Sequence, residues 1–109
     1  MAKIYEDLAV EYTLKNYPLL KAGRWWNKDE EIDVVGVNEK FILVGECKYS
    51  NKKVGIDIFK ELERKSKKIE STLPIKYYLL FSKSGFTKEL MAIEKSREDV
   101  VLISGFLGV

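Results

Sequence analysis

The chain has 109 residues, 46% of them hydrophobic and 33% charged, with a formal net charge of +2. That is long enough for one domain around one core and too short for two, and too apolar for a disordered chain. With no histidine and a single cysteine, serine–histidine and cysteine–histidine hydrolase chemistry, a cysteine-rich zinc site and an internal disulfide are all excluded.

A hydrolytic site in this chain must be built from carboxylates and lysine, with a hard cation such as magnesium where one is needed. No stretch approaches a transmembrane length, and the charged start from Met1 to Asp7 lacks the apolar block of a signal peptide. The cytoplasm is the expected compartment, with no membrane partner. The richness in Lys and Glu fits a thermophilic source.

Ile4, Tyr5, Leu8, Ala9 and Tyr12 recur at helical spacing and predict a helix over 3–16, ended by Asn16, Tyr17 and Pro18. GRWWN (23–27) reads as a short strand, and 31–37 and 41–48 as two more joined by a tight bend. Ile56, Phe59, Leu62, Ser66 and Ile69 give a second helix, closed before Pro74. IKYYLLF (75–81) is a strongly apolar strand, broken by Ser84 and Gly85. Thr87 is the expected N-cap of a third helix reaching about Arg97, and VVLIS (100–104) is a final strand. The order is αβββαβαβ in a single α/β domain over 1–109. No phosphate loop of the GxxxxGK type is present, so no nucleotide site is expected in this chain.

Charged residues interrupt the two central strands. With the bend centred between Glu39 and Lys40, Val37 faces Ile42, Val35 faces Val44, Asp33 faces Glu46 and Glu31 faces Lys48. These residues then share one face of the sheet, and Ile32, Val34, Gly36, Leu43, Gly45 and Cys47 share the other. Both faces carry apolar residues, so helices are expected on both sides. Opposed Cβ atoms lie about 4.5–5.5 Å apart, close enough for Asp33 and Glu46 to share one cation. Two adjacent carboxylates repel each other unless something neutralises them, which suits a magnesium site. The plainer alternative is a solvated strand end with a Glu31–Lys48 ion pair.

The element order, with YEDLAVEY, GRWWNKDEEIDVVG, LVGECKYSNKKVG, ELERKS and FSKSGFTKEL, resembles the restriction-endonuclease-like PD-(D/E)xK nuclease superfamily. More narrowly, the chain is similar to the nuclease-like domain at the C-terminus of many archaeal ATPases. Archaeal Holliday-junction resolvases share that core. The resemblance covers nearly the whole chain, although Ile32 stands where the motif has its proline. It implies a three-layer sandwich with a central mixed sheet flanked by helices, and a magnesium- or manganese-dependent endonuclease acting on DNA. By position, it implies that Asp33, Glu46 and the Cys47 carbonyl hold the metal. Lys48 would orient the attacking water and stabilise phosphate charge. Glu6 would complete the acids, with Glu11 a rival on the same helix.

Lys52 and Lys53 follow this site and are candidate DNA-phosphate contacts. Lys60, Arg64, Lys67 and Lys68 on the second helix are weaker candidates, because glutamates on that helix can pair with them. Trp25 and Trp26 should face opposite ways, one into the core; Tyr77 and Tyr78 read as sheet packing. Lys65 and Ser84 lie in family-like stretches without an assigned role. Two rival readings stay open. One is an inactive nuclease-fold module for DNA binding or protein docking, associated with an ATPase domain or subunit. The other is a structural or oligomerisation domain. A structure-specific resolvase would need a homodimer, since two strands must be cut.

Overall fold

In the computed structural model, which describes residues 2–105, the chain alternates between the two faces of one sheet. The elements are α1 (Ala2–Asn16), β1 (Lys21–Asn27), β2 (Glu30–Val37), β3 (Ile42–Lys48), α2 (Ile56–Ser66), β4 (Ile75–Ser82), α3 (Lys88–Ser96) and β5 (Val100–Ser104). The order is the expected αβββαβαβ. The sheet is mixed, with spatial order β1-β2-β3-β4-β5. β1, β2 and β3 pair antiparallel through short turns, whereas β4 and β5 add parallel after helical crossovers, as parallel pairing requires.

Each face buries its own cluster. On one side Tyr5 and Ala9 of α1 pack on Val34, Leu43, Cys47, Leu79, Phe81 and Ile103. Tyr5, Ala9 and Thr13 are four residues apart and all buried, and the Thr13 hydroxyl donates to the Ala9 carbonyl at 2.7 Å. On the other side Phe59 and Leu62 of α2 and Leu90 of α3 pack on Ile32, Ile42, Val44, Leu80 and Val100. The helices on both sides make a three-layer α/β arrangement. Thr87 caps α3, its hydroxyl accepting from the Leu90 N–H. α2 ends at Ser66 rather than continuing to Ile69, because its last turn tightens: Lys68 N–H reaches the Lys65 carbonyl and Ile69 N–H the Ser66 carbonyl.

The bend between β2 and β3 has a mechanism. The Asn38 side-chain carbonyl accepts from Lys40 N–H at 2.8 Å and Phe41 N–H at 2.9 Å, so the turn closes around Glu39 and Lys40. The expected register follows, with Val37 opposite Ile42 and Val35 opposite Val44. Trp25 packs against the α2-side cluster while Trp26 is 61% exposed. Tyr77 packs with Tyr17 and Phe41, and Tyr78 lies edge-on to Phe59.

Two expectations on β2 are corrected. Ile32 does not share a face with Val34: Ile32 belongs to the α2-side cluster and Val34 to the α1-side cluster. Gly23 pairs with Val35 but Trp25 with Ile32, so Arg24 alone spans Asp33 and Val34. This is a β-bulge, and one extra residue reverses the facing of everything beyond it. Nor is Asp33 paired opposite Glu46, or Glu31 opposite Lys48: the β2–β3 ladder ends at Val34 and Gly45, and Glu31 pairs with Trp26 on β1.

Candidate active site

The bulge and the end of that ladder coincide, and the two together form a fork. Beyond Val34 the strand β2 stays with β1, while β3 continues along β4 to Lys48. Asp33 sits at the crotch, 5% exposed, with its Oδ2 accepting from the Cys47 N–H at 2.9 Å. The carboxylate thus takes the place of the missing strand partner. In an extended strand a residue's N–H and C=O project to the same side, so the Cys47 carbonyl faces the fork as well. The Cys47 thiol instead lies in the α1-side core, and burial, reinforced by Asp33, Glu46 and Glu6, pushes its ionisation well up. It is no nucleophile.

Glu46 lies on the α2 side of β3, mostly buried. Its carboxyl is pushed up to about 7, first by burial and then by Asp33, against the pull of Lys65 and Lys48. Glu6 of α1 forms an ion pair with Arg24 at 2.6 Å. Its carboxyl is raised by burial and then by Asp33, with Arg24 opposing. Glu11 is exposed on the same helix, so the helix-borne acid within the field of the fork is Glu6. Asp33, Glu46, Lys48 and Glu6 therefore converge on one place from two strands and a helix.

Among the described residues, no three acidic or cysteine side chains are already gathered as a metal cage. The donor set still fits magnesium or manganese, which favour one or two carboxylates and a carbonyl and leave positions for water and phosphate. Here those donors are Asp33, Glu46 and the Cys47 carbonyl, all hard oxygens at the fork.

Beside the fork is a cavity of about 200 Å³ lined by Lys48, Ser50, Lys52, Lys53, Val54, Gly55, Asp57 and Ile58. It joins Lys48 to the two lysines proposed as phosphate contacts. The loop that carries them is tied down from β4 onward. The Ser84 hydroxyl donates to the Ser50 carbonyl, Lys83 Nζ reaches Asn51 Oδ1 at 3.2 Å, and Val54 bridges Phe86. Ser84 thus has a role in holding the lysine loop. The helix lysines divide differently. Arg64 and Lys68 both pair with Glu30 of β2, whose carboxyl they hold down at about 2. Lys60 and Lys67 are exposed. Arg64 on α2 and Lys68 just beyond its end therefore tie this segment to β2, with a β2 acid as partner rather than only the glutamates of the helix.

Two residues of the site escape a reading of the strands alone. Arg24 faces Glu6 because Trp25, its neighbour on β1, faces the α2 side. Lys65 reaches Glu46 Oε1 at 3.3 Å and the Glu31 carbonyl at 2.8 Å. Its signal was present: it falls three residues after Leu62 and six after Phe59, beside the buried stripe of α2.

A family model described as archaea bacterial proteins of unknown function (DUF234) matches residues 1–71. The uncharacterized protein MJECL04 of Methanocaldococcus jannaschii is 33% identical over 94 residues, covering 80% of this chain and 21% of that protein. The chain thus spans about a fifth of the length of the curated relative it matches. No solved structure matches it. The chain belongs to the DUF234 family.

Proposed function

We propose that this DUF234 member is a nuclease domain of the restriction-endonuclease-like PD-(D/E)xK type, cutting DNA phosphodiester bonds with magnesium or manganese. The observation that carries the reading is the fork. β2 parts from β3 where Asp33 and Glu46 meet, with Lys48 one alternation further along β3 and a lysine-lined cavity beside it. Asp33, Glu46 and the Cys47 carbonyl would hold the ion, which supplies Lewis acidity and lowers the pKa of a bound water. Lys48 places an ammonium beside the fork, where it orients the attacking water and balances charge gathering on the phosphoryl oxygens. Glu6, fixed by Arg24, adds an acid from the α1 side. Lys52 and Lys53 lead the phosphate backbone into the cavity.

A second reading has its own support. Asp33 is already bonded to the Cys47 N–H and Glu46 to Lys65, an arrangement that suits a DNA-binding or docking module that no longer cuts. A longer parent protein, such as an ATPase, would then supply the activity.

Cleavage of single-stranded, duplex, flap and four-way-junction DNA with Mg²⁺ or Mn²⁺ separates the two. Wild type is expected to cut at least one of these, with Glu46→Ala and Lys48→Ala each slower by about 10²-fold or more. DNA binding without cleavage, unchanged in both variants, selects the docking module.

A further inference from the structure

Lys65 holds a position that the proposed reaction does not use. It leaves the buried side of α2 with its side chain 12% exposed, as is that of Glu46. The closer of its two contacts is to the Glu31 backbone carbonyl, at 2.8 Å, and the longer to Glu46 Oε1, at 3.3 Å. The ammonium is therefore anchored to the β2 side of the fork and leans its charge on the carboxylate across it.

We infer that Lys65 is a resident counter-cation that sets the affinity of the fork for a divalent ion. It balances Glu46 when no ion is bound, and its anchor on Glu31 keeps it in place to weaken the ion's hold when one enters. The inference rests on the nuclease reading of the same acids. At pH 8, Glu6, Asp33 and Glu46 bring three negative charges to the fork, with the exposed Glu31 acting on Glu6 from its edge; Arg24, Lys48 and Lys65 bring three positive ones. A nearly neutral cluster avoids leaving uncompensated charge in a half-dry place. A divalent ion then makes the fork net positive, which suits an incoming phosphodiester and opposes tight retention of the ion itself. Unlike a lysine that only steadies Glu46, such a residue lowers metal affinity by its presence, because like charges a few ångströms apart repel.

The two roles predict opposite signs. Free Mn²⁺ is followed by its electron paramagnetic resonance signal during titration into the whole chain at pH 8, without DNA. Lys65→Met is expected to bind Mn²⁺ about tenfold more tightly than wild type. Lys65→Arg, which keeps the charge, should stay within about twofold of wild type. Lys65→Gln, which retains a donor for the Glu31 carbonyl, should follow Lys65→Met, and it serves in its place if the methionine variant does not fold by circular dichroism. Equal or weaker Mn²⁺ binding in a folded, charge-free variant overturns the inference while the nuclease reading stands. Wild-type binding indifferent to Glu46→Gln removes the metal site itself, and both fall together.

Discussion

At the scale of single residues, the most consequential number belongs to Glu46. Its carboxyl is raised to about 7 because burial and Asp33 both oppose its charge. Between about pH 4.5 and 7, the folded chain holds a proton there that the unfolded chain has released. Stability of the metal-free chain should therefore fall as pH rises across that window, by an amount on the order of 2–3 kcal/mol. Glu6 is raised too and contributes the same sign. Glu30 and Asp99 are held low by basic partners, Glu30 by Arg64 and Lys68 and Asp99 by Arg97. Their contributions are lost only as pH falls through the more acidic range, and so do not blur the window. Urea unfolding in EDTA at pH 5, 6, 7 and 8 should show the decline, and Glu46→Gln should flatten most of it. A wild-type profile that is flat or rises from pH 5 to 8 would contradict the burial of this carboxylate beside Asp33.

At the scale of elements, the fork depends on β3 lying close to its neighbours at Gly45, the residue before Glu46. A Cβ there would come 3.2 Å from Val34 Cβ, 3.3 Å from the Leu79 carbonyl oxygen and 3.4 Å from the Phe81 ring. One of those is backbone of the central sheet and another a fully buried ring, neither free to give way. Gly36 looks worse by distance, 2.5 Å to Leu19 Cδ1. That atom is the tip of a leucine side chain outside the core clusters, and it can swing aside. Gly45→Ala is thus expected to cost about 1–3 kcal/mol, whereas Gly36→Ala should cost under about 1 kcal/mol because reduced freedom of the unfolded chain offsets part of the crowding. Urea midpoints of the two variants decide it; a larger loss at Gly36 would mean that Leu19 is more firmly held than its position suggests. The same scale shows what the amino-acid order revealed. The turn was legible because Asn38, Glu39, Lys40 and Phe41 separate two apolar runs symmetrically, and the register of Val35 on Val44 followed. The bulge was not legible. A single extra residue opposite Arg24 leaves the alternation of Ile32 and Val34 looking regular, and only pairing with β1 reveals the reversal. The sequence pattern sets Asp33 opposite Glu46 in a continuous ladder, whereas the ladder ends at Val34 and Gly45 and the two acids interact across the divergence of the strands. Lys65 was half legible: its place beside the buried stripe of α2 marks it, but its partner lies on another element, so the pairing with Glu46 was not.

At the scale of the molecule, the sheet is covered on both faces, by α1 on one and by α2 and α3 on the other. The fork draws on both layers, with Glu6 arriving from α1 and Lys65 from α2. A cation bound there would tie β2, β3 and, through the charges around it, both helical layers, none of which is so arranged in the unfolded chain. Binding to the native state alone stabilises it by mass action, about 2.7 kcal/mol at a hundredfold excess over Kd. For a domain of this size that corresponds to a rise in Tm of roughly 10 °C or more. The rise should grow from pH 5.5 to 8, because the ion competes with the proton on Glu46. Calorimetry with and without 10 mM Mg²⁺ tests this without any DNA. Asp33→Asn and Glu46→Gln should each abolish most of the rise, and Lys52→Ala, whose side chain lines the neighbouring cavity, should leave it intact. A rise that survives both acid substitutions would place the ion elsewhere on the surface. No rise at all, at either pH, would leave Glu46 balanced by Lys65 alone and favour the docking module over the nuclease.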